Sequence, residues 1–172
     1  MVQPAVVVWN VCRHCNLRCP HCYSSASTRP SQYDLSTSDG LRLLEDLASV
    51  GVRVVIFSGG EPLLRSDLFG LMARARELGM EPMLSSNGVL LDGASTGKLA
   101  RAGTRYVGVS LDGLGAQNDA YRGLKGAFAS AVQGLRHAME AGLRVGVRLT
   151  LTRESKNQPS TDVASQSVGG AA

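Results

Sequence analysis

The sequence predicts an α/β fold in which about five βα units form part of a barrel of parallel strands. Short apolar runs rich in Val alternate along the chain with longer segments whose leucines recur at helical spacing. Strands separated by helices of about ten or more residues pair in parallel through right-handed crossovers. A complete eight-stranded barrel needs about 250 residues, whereas this chain has 172. We therefore expect an incomplete barrel.

Five predicted strands account for the β part of this fold. Each is a short run of mostly apolar residues, several of them β-branched, after which the sequence changes to polar or turn-forming types. The predicted strands cover residues 5–9, 52–57, 80–84, 106–111 and 145–151.

Four predicted helices lie between these strands. Ser36 or Ser38 can begin the first and Ser66 or Asp67 the second, since such side chains accept hydrogen bonds from the first free backbone N–H groups of a helix. A glycine follows three of the helices, which is typical of a helix C-terminus. The first two helices end near residues 49 and 78, the others cover residues 95–102 and 127–141, and the closing glycines are Gly51, Gly79 and Gly142.

The regular alternation stops after Arg153. Residues 154–172 are rich in Ser, Gln, Gly and Ala, with two isolated valines and no periodicity. Such a composition cannot bury enough apolar surface to form a core. We therefore divide the chain into an incomplete barrel over residues 1–153 and a disordered tail over residues 154–172.

Composition and charge restrict the class of protein. Hydrophobic residues make up 44% and charged residues 19% of the chain, which is typical of a globular domain. The net charge is +4, but the basic residues are spread along the chain, so we expect no nucleic-acid partner. No apolar stretch reaches the about 18–20 residues that span a bilayer, and no signal peptide is recognisable. We expect a cytoplasmic protein without a membrane partner.

The cysteines carry the strongest chemical signal. All four lie between Cys12 and Cys22, so they cannot form a disulfide framework that joins distant segments. Cys15, Cys19 and Cys22 have the spacing C-x3-C-x2-C and follow the first predicted strand. Three thiolates on one short loop can hold three corners of a 4Fe-4S cluster and leave the fourth iron open to a ligand. The spacing favours such an open cluster.

Three alternatives use Cys12 as well. With Cys12 the spacing becomes C-x2-C-x3-C-x2-C, which is conceivable for zinc, but zinc ribbons separate their cysteine pairs by about 12–20 residues. Cys12 is also a candidate fourth ligand of a ferredoxin-like cluster, or a redox partner of Cys15. The spacing favours the open cluster over these three.

Polar and glycine-rich motifs accompany each of the other strands. In parallel α/β folds ligands bind at the carboxyl ends of the strands, so these motifs should meet in one cleft beside the cysteines. Taken singly, Gly-Gly, Asn-Gly and Asp-Gly are ordinary turn sequences, and their coincidence at one edge indicates a site. The motifs are Ser-Gly-Gly-Glu-Pro at 58–62, Ser-Asn-Gly at 86–88, Ser-Leu-Asp-Gly at 110–113, and Arg148 with Thr150 on the fifth strand.

The chemistry of these motifs fits an amino-acid ligand. The carbonyls of Gly59 and Gly60 can accept hydrogen bonds from an ammonium group, and the Glu61 carboxylate adds a charged partner. Arginine pairs with carboxylates, and acidic or amide side chains bind ribose hydroxyls. The candidates for these two tasks are Arg148 or serine hydroxyls for the carboxylate, and Asp112 or Asn87 for a ribose.

At this point the sequence resembles the radical S-adenosylmethionine (SAM) superfamily. The resemblance depends on the C-x3-C-x2-C loop after the first strand and on Gly-Gly-Glu-Pro after the second. It implies a 4Fe-4S cluster and SAM as cofactors, and reductive cleavage of SAM to methionine and a 5′-deoxyadenosyl radical. It also implies that Cys15, Cys19 and Cys22 bind the cluster, that Gly59, Gly60 and Glu61 contact the SAM amino group, that His21 lies beside the adenine, and that Ser110 or Asp112 lies near the ribose.

A narrower resemblance is to the radical SAM proteins of heme d1 biosynthesis. It is carried by phrases such as Val8-Trp9-Asn10 and Tyr121-Arg122-Gly123. It implies an enzyme that modifies propionate side chains of a siroheme-derived tetrapyrrole and receives electrons from a donor such as flavodoxin or ferredoxin. Peptide-modifying and heme-related relatives with a C-terminal auxiliary-cluster domain share most of these phrases, so another enzyme of that type is the alternative.

Two features depart from the family pattern. The resemblance stops at Arg153 without a sixth strand or further cysteines, which favours the hypothesis of a truncation near Lys156 and makes an inactive fragment a second alternative. The pattern does not require Cys12, which we expect to be a spectator thiol. His14 is a candidate ligand only of an unconventional cluster, and His137 is expected to be a solvated residue, or one at the boundary of the core, in an amphipathic helix. A non-catalytic zinc-binding protein is the third alternative.

Overall fold

The structure is a computed structural model that describes residues 5–150 of the chain. In this range five strands and five α-helices alternate, except that two helices follow the fourth strand. A short 3-10 helix, Pro62–Leu64, follows the second strand. The elements are, in order, β1 (Val6–Cys12), α1 (Thr37–Ser49), β2 (Val54–Gly59), α2 (Leu68–Glu77), β3 (Glu81–Ser86), α3 (Gly93–Arg101), β4 (Tyr106–Ser110), α4 (Gly115–Arg122), α5 (Ala127–Glu140) and β5 (Arg144–Arg148).

The five strands form one parallel sheet in the order β1-β2-β3-β4-β5. Each strand pairs with the next strand of the chain, and right-handed crossovers then place the connecting helices on the same face. This is the arrangement of a barrel that has not closed, so the predicted α/β partial barrel of five βα units is confirmed. The register between β1 and β2 is regular up to Asn10, which pairs with Ser58, and shifts before Cys12, which pairs with Gly59.

The core lies between the sheet and its helices. Successive side chains of a strand face opposite sides of the sheet, so alternate strand residues point into the core. Val55 and Phe57 of β2 and Val107 of β4 are 0% exposed, and they belong to one cluster with helix residues such as Leu135. The opposite face of the sheet is partly open, and its Val8 is 59% exposed. The sheet therefore offers a free inner surface to a ligand.

Helix capping agrees in part with the predicted starts. Ser36 caps α1 as predicted, and its hydroxyl accepts a hydrogen bond from a backbone N–H of the first turn at 3.1 Å. Asp67 precedes α2 as predicted, but its carboxylate pairs with Arg65 and does not cap the helix. α3 begins earlier than predicted, because Asp92 forms a capping box with Ser95.

One helix, α4, is missing from the predicted set. Its sequence GAQNDAYR is short and polar and begins with glycine, so it lacks the apolar periodicity by which a helix is recognised. Tertiary contacts hold it instead. The Asp119 carboxylate accepts hydrogen bonds from the N–H groups of Gly126 at 2.6 Å and Phe128 at 2.8 Å, which fixes α4 to the start of α5.

Some expectations concern the end of the chain. The last residue of the predicted fifth strand, the domain boundary at residue 153, the tail 154–172 and the truncation near Lys156 all lie outside the described residues. Across residues 5–150, no helix combines the length and the apolar character needed to cross a lipid bilayer.

Candidate metal centre

The carboxyl ends of the five strands surround one cavity of about 440 Å³. The motifs predicted at separate strand ends therefore meet in space. Two predicted ligand-binding residues, Glu61 and Asp112, do not belong to the cavity lining. The predicted site residues that do line it are Cys15, Cys19, His21, Cys22, Gly59, Gly60, Asn87, Ser110 and Arg148.

The cysteine loop leaves β1 and returns to the same place. Backbone hydrogen bonds join its two ends, because the Cys15 N–H donates to the Ser27 carbonyl at 2.8 Å and the Ser27 N–H donates to the Arg13 carbonyl at 2.8 Å. Within the loop, the Cys22 N–H donates to the Cys19 carbonyl at 3.2 Å. These bonds gather the three thiols of the predicted ligand set in the wall of one cavity.

The three thiols differ in their surroundings. Burial raises the pKa of Cys15, although a hydrogen bond from the Leu17 N–H acts to lower it. Burial also raises the pKa of Cys19, although the Arg122 guanidinium acts to lower it. At Cys22 burial also acts to raise the pKa, but hydrogen bonds from the Ser24 hydroxyl and from backbone N–H groups outweigh it, and the pKa is lowered. Thiolate charges on neighbouring members of the set repel one another. The three therefore ionise together most readily when they bind a cation.

Cys12 lies apart from this set. Its thiol donates to the carbonyls of Glu61 at 3.4 Å and His14 at 3.6 Å, and it does not line the cavity. Burial, together with nearby carboxylates, raises its pKa to about 11, so Cys12 stays protonated at neutral pH.

The arrangement of potential ligands bears on the type of metal centre. Within residues 5–150, no three His, Cys, Asp or Glu side chains converge on one point as the ligands of a single ion do. The ligands of a 4Fe-4S cluster bind different irons, so they need no such convergence. Cys12 lies outside the cavity, so it is not placed to join the other three cysteines at one ion.

Gly59 and Gly60 allow the cysteine loop to lie against the end of β2. The Gly60 N–H donates to the Cys12 carbonyl at 2.7 Å, and the Glu61 N–H donates to the His14 carbonyl at 2.8 Å. A Cβ on Gly59 would lie 2.4 Å from the Cys12 carbonyl oxygen, and one on Gly60 would lie 2.3 Å from that of His14. Any larger residue at either position would collide with the backbone. The close approach of the two loops therefore requires both glycines, a reason that the sequence alone did not reveal.

The Glu61 carboxylate is completely buried, with 0% exposure. It accepts hydrogen bonds from the Ser86 hydroxyl at 2.9 and 3.0 Å, from the Asn87 N–H at 2.9 Å and from the Leu63 N–H at 3.1 Å. Burial raises its pKa to about 6, although these hydrogen bonds act to lower it. Both oxygens are thus occupied by the protein. The carboxylate thereby joins the loop after β2 to the loop after β3, and its contact with a ligand ammonium stays a prediction.

Asn87 extends this connection to the cysteine loop. Its Nδ2 donates to Asn16 Oδ1 at 2.8 Å and lies 3.8 Å from the Cys15 sulfur. Its Oδ1 accepts a hydrogen bond from the Val89 N–H at 2.9 Å, so the orientation of the amide is fixed. The sequence predicted Asn87 beside a ribose. The structure places its amide beside a predicted cluster ligand, while the residue still lines the cavity.

Asp112 connects cavity residues without lining the cavity itself. It is 3% exposed, and its Oδ2 lies 2.8 Å from His21 Nε2 and 2.8 Å from Arg122 Nη2. Its Oδ1 accepts a hydrogen bond from the Thr150 N–H at 3.1 Å. The Tyr121 ring packs edge-on against the His21 ring with 5.6 Å between centroids. Together these contacts orient the imidazole at the cavity wall.

Arg122 is a site residue that sequence reasoning missed. It is the last residue of α4, the helix absent from the predicted set, and it lines the cavity. The phrase Tyr121-Arg122-Gly123 supports the family resemblance but assigns no role to the arginine. Its guanidinium contacts Asp112 through Nη2, and its Nη1 lies 4.0 Å from the Cys19 sulfur.

Arg148 and Ser110 complete the cavity on the side of β4 and β5. Arg148 Nη2 donates to the Gly108 carbonyl at 3.2 Å and also contacts the Ser85 hydroxyl. On the side of β1 and β2, the Tyr23 hydroxyl forms hydrogen bonds with a side chain of each strand, both at 3.2 Å. The cavity therefore has a polar rim with one cation supplied by β5.

The sequence is similar to known proteins over most of its length. Residues 9–159 match the model of the Radical SAM superfamily. The chain is 49% identical over 150 residues to the Fe-coproporphyrin III synthase of Methanosarcina barkeri. The aligned region covers 87% of this chain and 38% of that protein. The chain is also 43% identical over 153 residues to the pre-heme d1 synthase of Dinoroseobacter shibae. That aligned region covers 89% of this chain and 38% of that protein.

A solved structure has the same fold. The crystal structure of Streptococcus suis SuiB bound to S-adenosylmethionine matches with a TM-score of 0.77 at 20% identity, over 95% of this chain and 38% of that one. At this identity the likeness establishes the fold alone. The chain spans about 38% of the length of the two curated relatives.

Proposed function

The chain belongs to the radical SAM superfamily, and on that premise we propose that it forms the core of an enzyme that cleaves SAM reductively and acts on a tetrapyrrole. When bound, the 4Fe-4S cluster supplies one electron to the SAM sulfonium, which yields methionine and a 5′-deoxyadenosyl radical that removes a hydrogen atom from the substrate. The residues of this chain would hold the cofactors in the cavity and the substrate beside it, in the orientation that the reaction needs.

Cys15, Cys19 and Cys22 are the proposed cluster ligands. The observation that carries the proposal is that these three free thiols line the same cavity as the ends of the other strands. Backbone hydrogen bonds close the loop that bears them, and Cys12 stays outside the cavity. Three thiolates leave one iron without a protein ligand, and that position is available to SAM.

The SAM site is proposed along the ends of β2 to β5. The carbonyls of Gly59 and Gly60 would accept hydrogen bonds from the methionine ammonium. The Glu61 carboxylate would support these carbonyls by fixing their loop. His21 would contact the adenine in the orientation that Asp112 gives it. For the methionine carboxylate and the ribose, the cavity offers Arg148, Ser110 and Asn87.

A tetrapyrrole is the proposed substrate class. The names of both curated relatives refer to tetrapyrrole synthases. Toward the start of the same strands, the free face of the sheet carries Val8, Ile56, Met83 and Tyr106, all of them at least partly exposed. These side chains supply an apolar surface for a flat ring, and Arg148 beside the cavity supplies a cation for a propionate.

Within this class the motifs of the sequence favour a siroheme-derived tetrapyrrole whose propionate side chains are modified, as in heme d1 biosynthesis. The relative named Fe-coproporphyrin III synthase has the higher identity, 49% against 43%. An iron coproporphyrin is therefore the second candidate substrate. A one-electron donor such as flavodoxin or ferredoxin would reduce the cluster in either case.

Anaerobic reconstitution with iron and sulfide tests the cofactor proposal. The 172-residue chain should incorporate about four irons and four sulfides, and after reduction it should convert SAM to 5′-deoxyadenosine, which chromatography detects. Cys19→Ala should incorporate far less iron, whereas the matched control Cys12→Ser should incorporate as much as the wild type. Stoichiometric zinc without sulfide would contradict the cluster. A folded, loaded chain that forms no 5′-deoxyadenosine would support the inactive-fragment alternative.

Absorption titrations test the substrate class. Iron coproporphyrin III and a siroheme-derived tetrapyrrole are added in separate experiments to the loaded chain, and their visible spectra are followed. Saturable binding that weakens in Arg148→Gln supports the proposed surface. The compound that binds more tightly is then the favoured one of the two candidate substrates. A chain that binds neither compound, while it still cleaves SAM, contradicts the substrate class and leaves the cofactor proposal intact.

A further inference from the structure

We propose that Arg122 raises the reduction potential of the cluster by holding a positive charge beside the Cys19 ligand. The inference rests on the proposed function and adds a role for a residue of α4. Arg122 would act on the cluster through a ligand sulfur, as a positioning residue whose charge tunes the metal centre.

The guanidinium is anchored beside the sulfur. Its Nη1 lies 4.0 Å from Cys19 Sγ, and its Nη2 forms an ion pair with Asp112 at 2.8 Å. The Arg122 side chain is 12% exposed and that of Asp112 is 3% exposed, so water screens these charges only weakly. The remaining nitrogen, Nε, is buried and has no hydrogen-bond partner in the described part of the chain. The cation is thus held mainly by the two groups that flank it.

The backbone at the end of α4 places Arg122 beside the cysteine loop. Gly123 follows Arg122 in the left-handed conformation, with a φ of 65°. A Cβ on Gly123 would lie 2.7 Å from the Arg18 carbonyl oxygen, and the Arg18 N–H donates to the Arg122 carbonyl at 3.4 Å. The helix end and the cysteine loop therefore pack backbone against backbone, which places the start of the Arg122 side chain near Cys19, and the ion pair with Asp112 holds the guanidinium there.

The charge of the ligand determines the direction of the effect. As a thiol, Cys19 also donates to the Arg122 carbonyl at 3.8 Å. As a cluster ligand it is a thiolate without a proton to donate, and the guanidinium becomes its attractive contact. The Asp112 carboxylate beside the same guanidinium acts against this attraction.

Reduction adds one negative charge to the cluster. The donor protein loses that electron, the cluster gains it, and Arg122 exchanges no proton because arginine keeps its charge. A fixed cation beside a ligand sulfur stabilises the reduced cluster more than the oxidised cluster, and hydrogen bonds to the sulfurs act in the same direction. Loss of the cation should therefore lower the potential, and loss of the opposing carboxylate should raise it.

A redox titration of the reconstituted 172-residue chain without SAM tests the inference, with visible absorbance and electron paramagnetic resonance as readouts. Arg122→Gln should make reduction about tenfold less favourable, which lowers the potential by about 59 mV for one electron. Asp112→Asn should shift the potential upward. The matched control Lys125→Gln removes an exposed cation from the same stretch and should leave the potential unchanged.

The variants separate a charge effect from a structural one. An unchanged or higher potential in Arg122→Gln overturns the inference. If that variant does not hold a cluster, Asp112→Asn decides, and a lower or unchanged potential there overturns it. A wild-type chain that holds no cluster contradicts the proposed function itself. A normal cluster with normal SAM cleavage, together with an unchanged potential in Arg122→Gln, contradicts only the role of Arg122.

Discussion

Replacement of Glu61 by glutamine tests the buried connection between the loops after β2 and β3. Its two carboxylate oxygens accept hydrogen bonds from Ser86 and from the N–H groups of Leu63 and Asn87. In glutamine one oxygen becomes an NH2 group, which must face one of these two N–H groups and leaves it without an acceptor. Glu61→Gln should therefore lower the free energy of unfolding by about 1–3 kcal/mol at pH 7.

The pKa of Glu61 adds a dependence on pH. Its pKa is about 6 in the folded chain against an ordinary value of 4.5, so the folded chain binds this proton more tightly than the unfolded chain. The resulting stabilisation is present below pH 4.5 and is lost as the pH rises through about 6. The difference between 6 and 4.5, at about 1.36 kcal/mol per pH unit, amounts to about 2 kcal/mol. About 1 kcal/mol of it is present at pH 5.

Urea unfolding of the 172-residue chain, followed by the fluorescence of Trp9, measures both effects. Trp9 lies in the core with its ring 5.7 Å from that of Phe57. The stability difference between wild type and Glu61→Gln should be about 1 kcal/mol larger at pH 5 than at pH 7. The exposed control Glu140→Gln should change stability by less than about 0.5 kcal/mol. A variant as stable as the wild type at pH 7, or an equal difference at both pH values, would refute this reasoning.

Three further substitutions probe other parts of the molecule. Gly60→Ala places a methyl group 2.3 Å from the His14 carbonyl oxygen, so we expect strongly reduced iron incorporation, measured by metal analysis, and a loss of about 1–3 kcal/mol in urea unfolding. Ser36→Ala removes the cap of α1 and should cost about 1 kcal/mol in the same unfolding assay. Asp119→Ala leaves the Gly126 N–H without its acceptor and should cost about 1–2 kcal/mol, also measured in urea.

The sheet and the position of the site were predictable because both depend on local patterns. Apolar runs between polar segments predicted the five strands, and the binding of ligands at the carboxyl ends of parallel strands predicted where the motifs meet. Ser36 was recognisable as one of two candidate caps of α1, since a serine before an apolar periodic segment is a local signal. The clustering of Cys15, Cys19 and Cys22 in one cavity needed only their spacing and their place after β1.

Contacts between loops were not predictable in the same way. Nothing local to Glu61 distinguishes a carboxylate that faces a ligand from one that the loop after β3 surrounds. The same holds for Asp112, whose partners come from the cysteine loop and from α4. α4 itself escaped prediction because its contacts, not its sequence pattern, keep it helical, and Arg122 escaped with it. These features depend on distances that only the folded chain sets.

Asp112 is shared between His21 and Arg122, and this sharing has a thermodynamic consequence. If the proposed cofactor draws the imidazole away, more of the carboxylate is left to neutralise the guanidinium, and cofactor binding near His21 would change the net charge beside Cys19. Such coupling is reciprocal. If cofactor binding changes the equilibrium constant for reduction of the proposed cluster by some factor, reduction changes the affinity for the cofactor by the same factor. Asp112 would thereby couple the binding of the cofactor to the reduction of the proposed cluster.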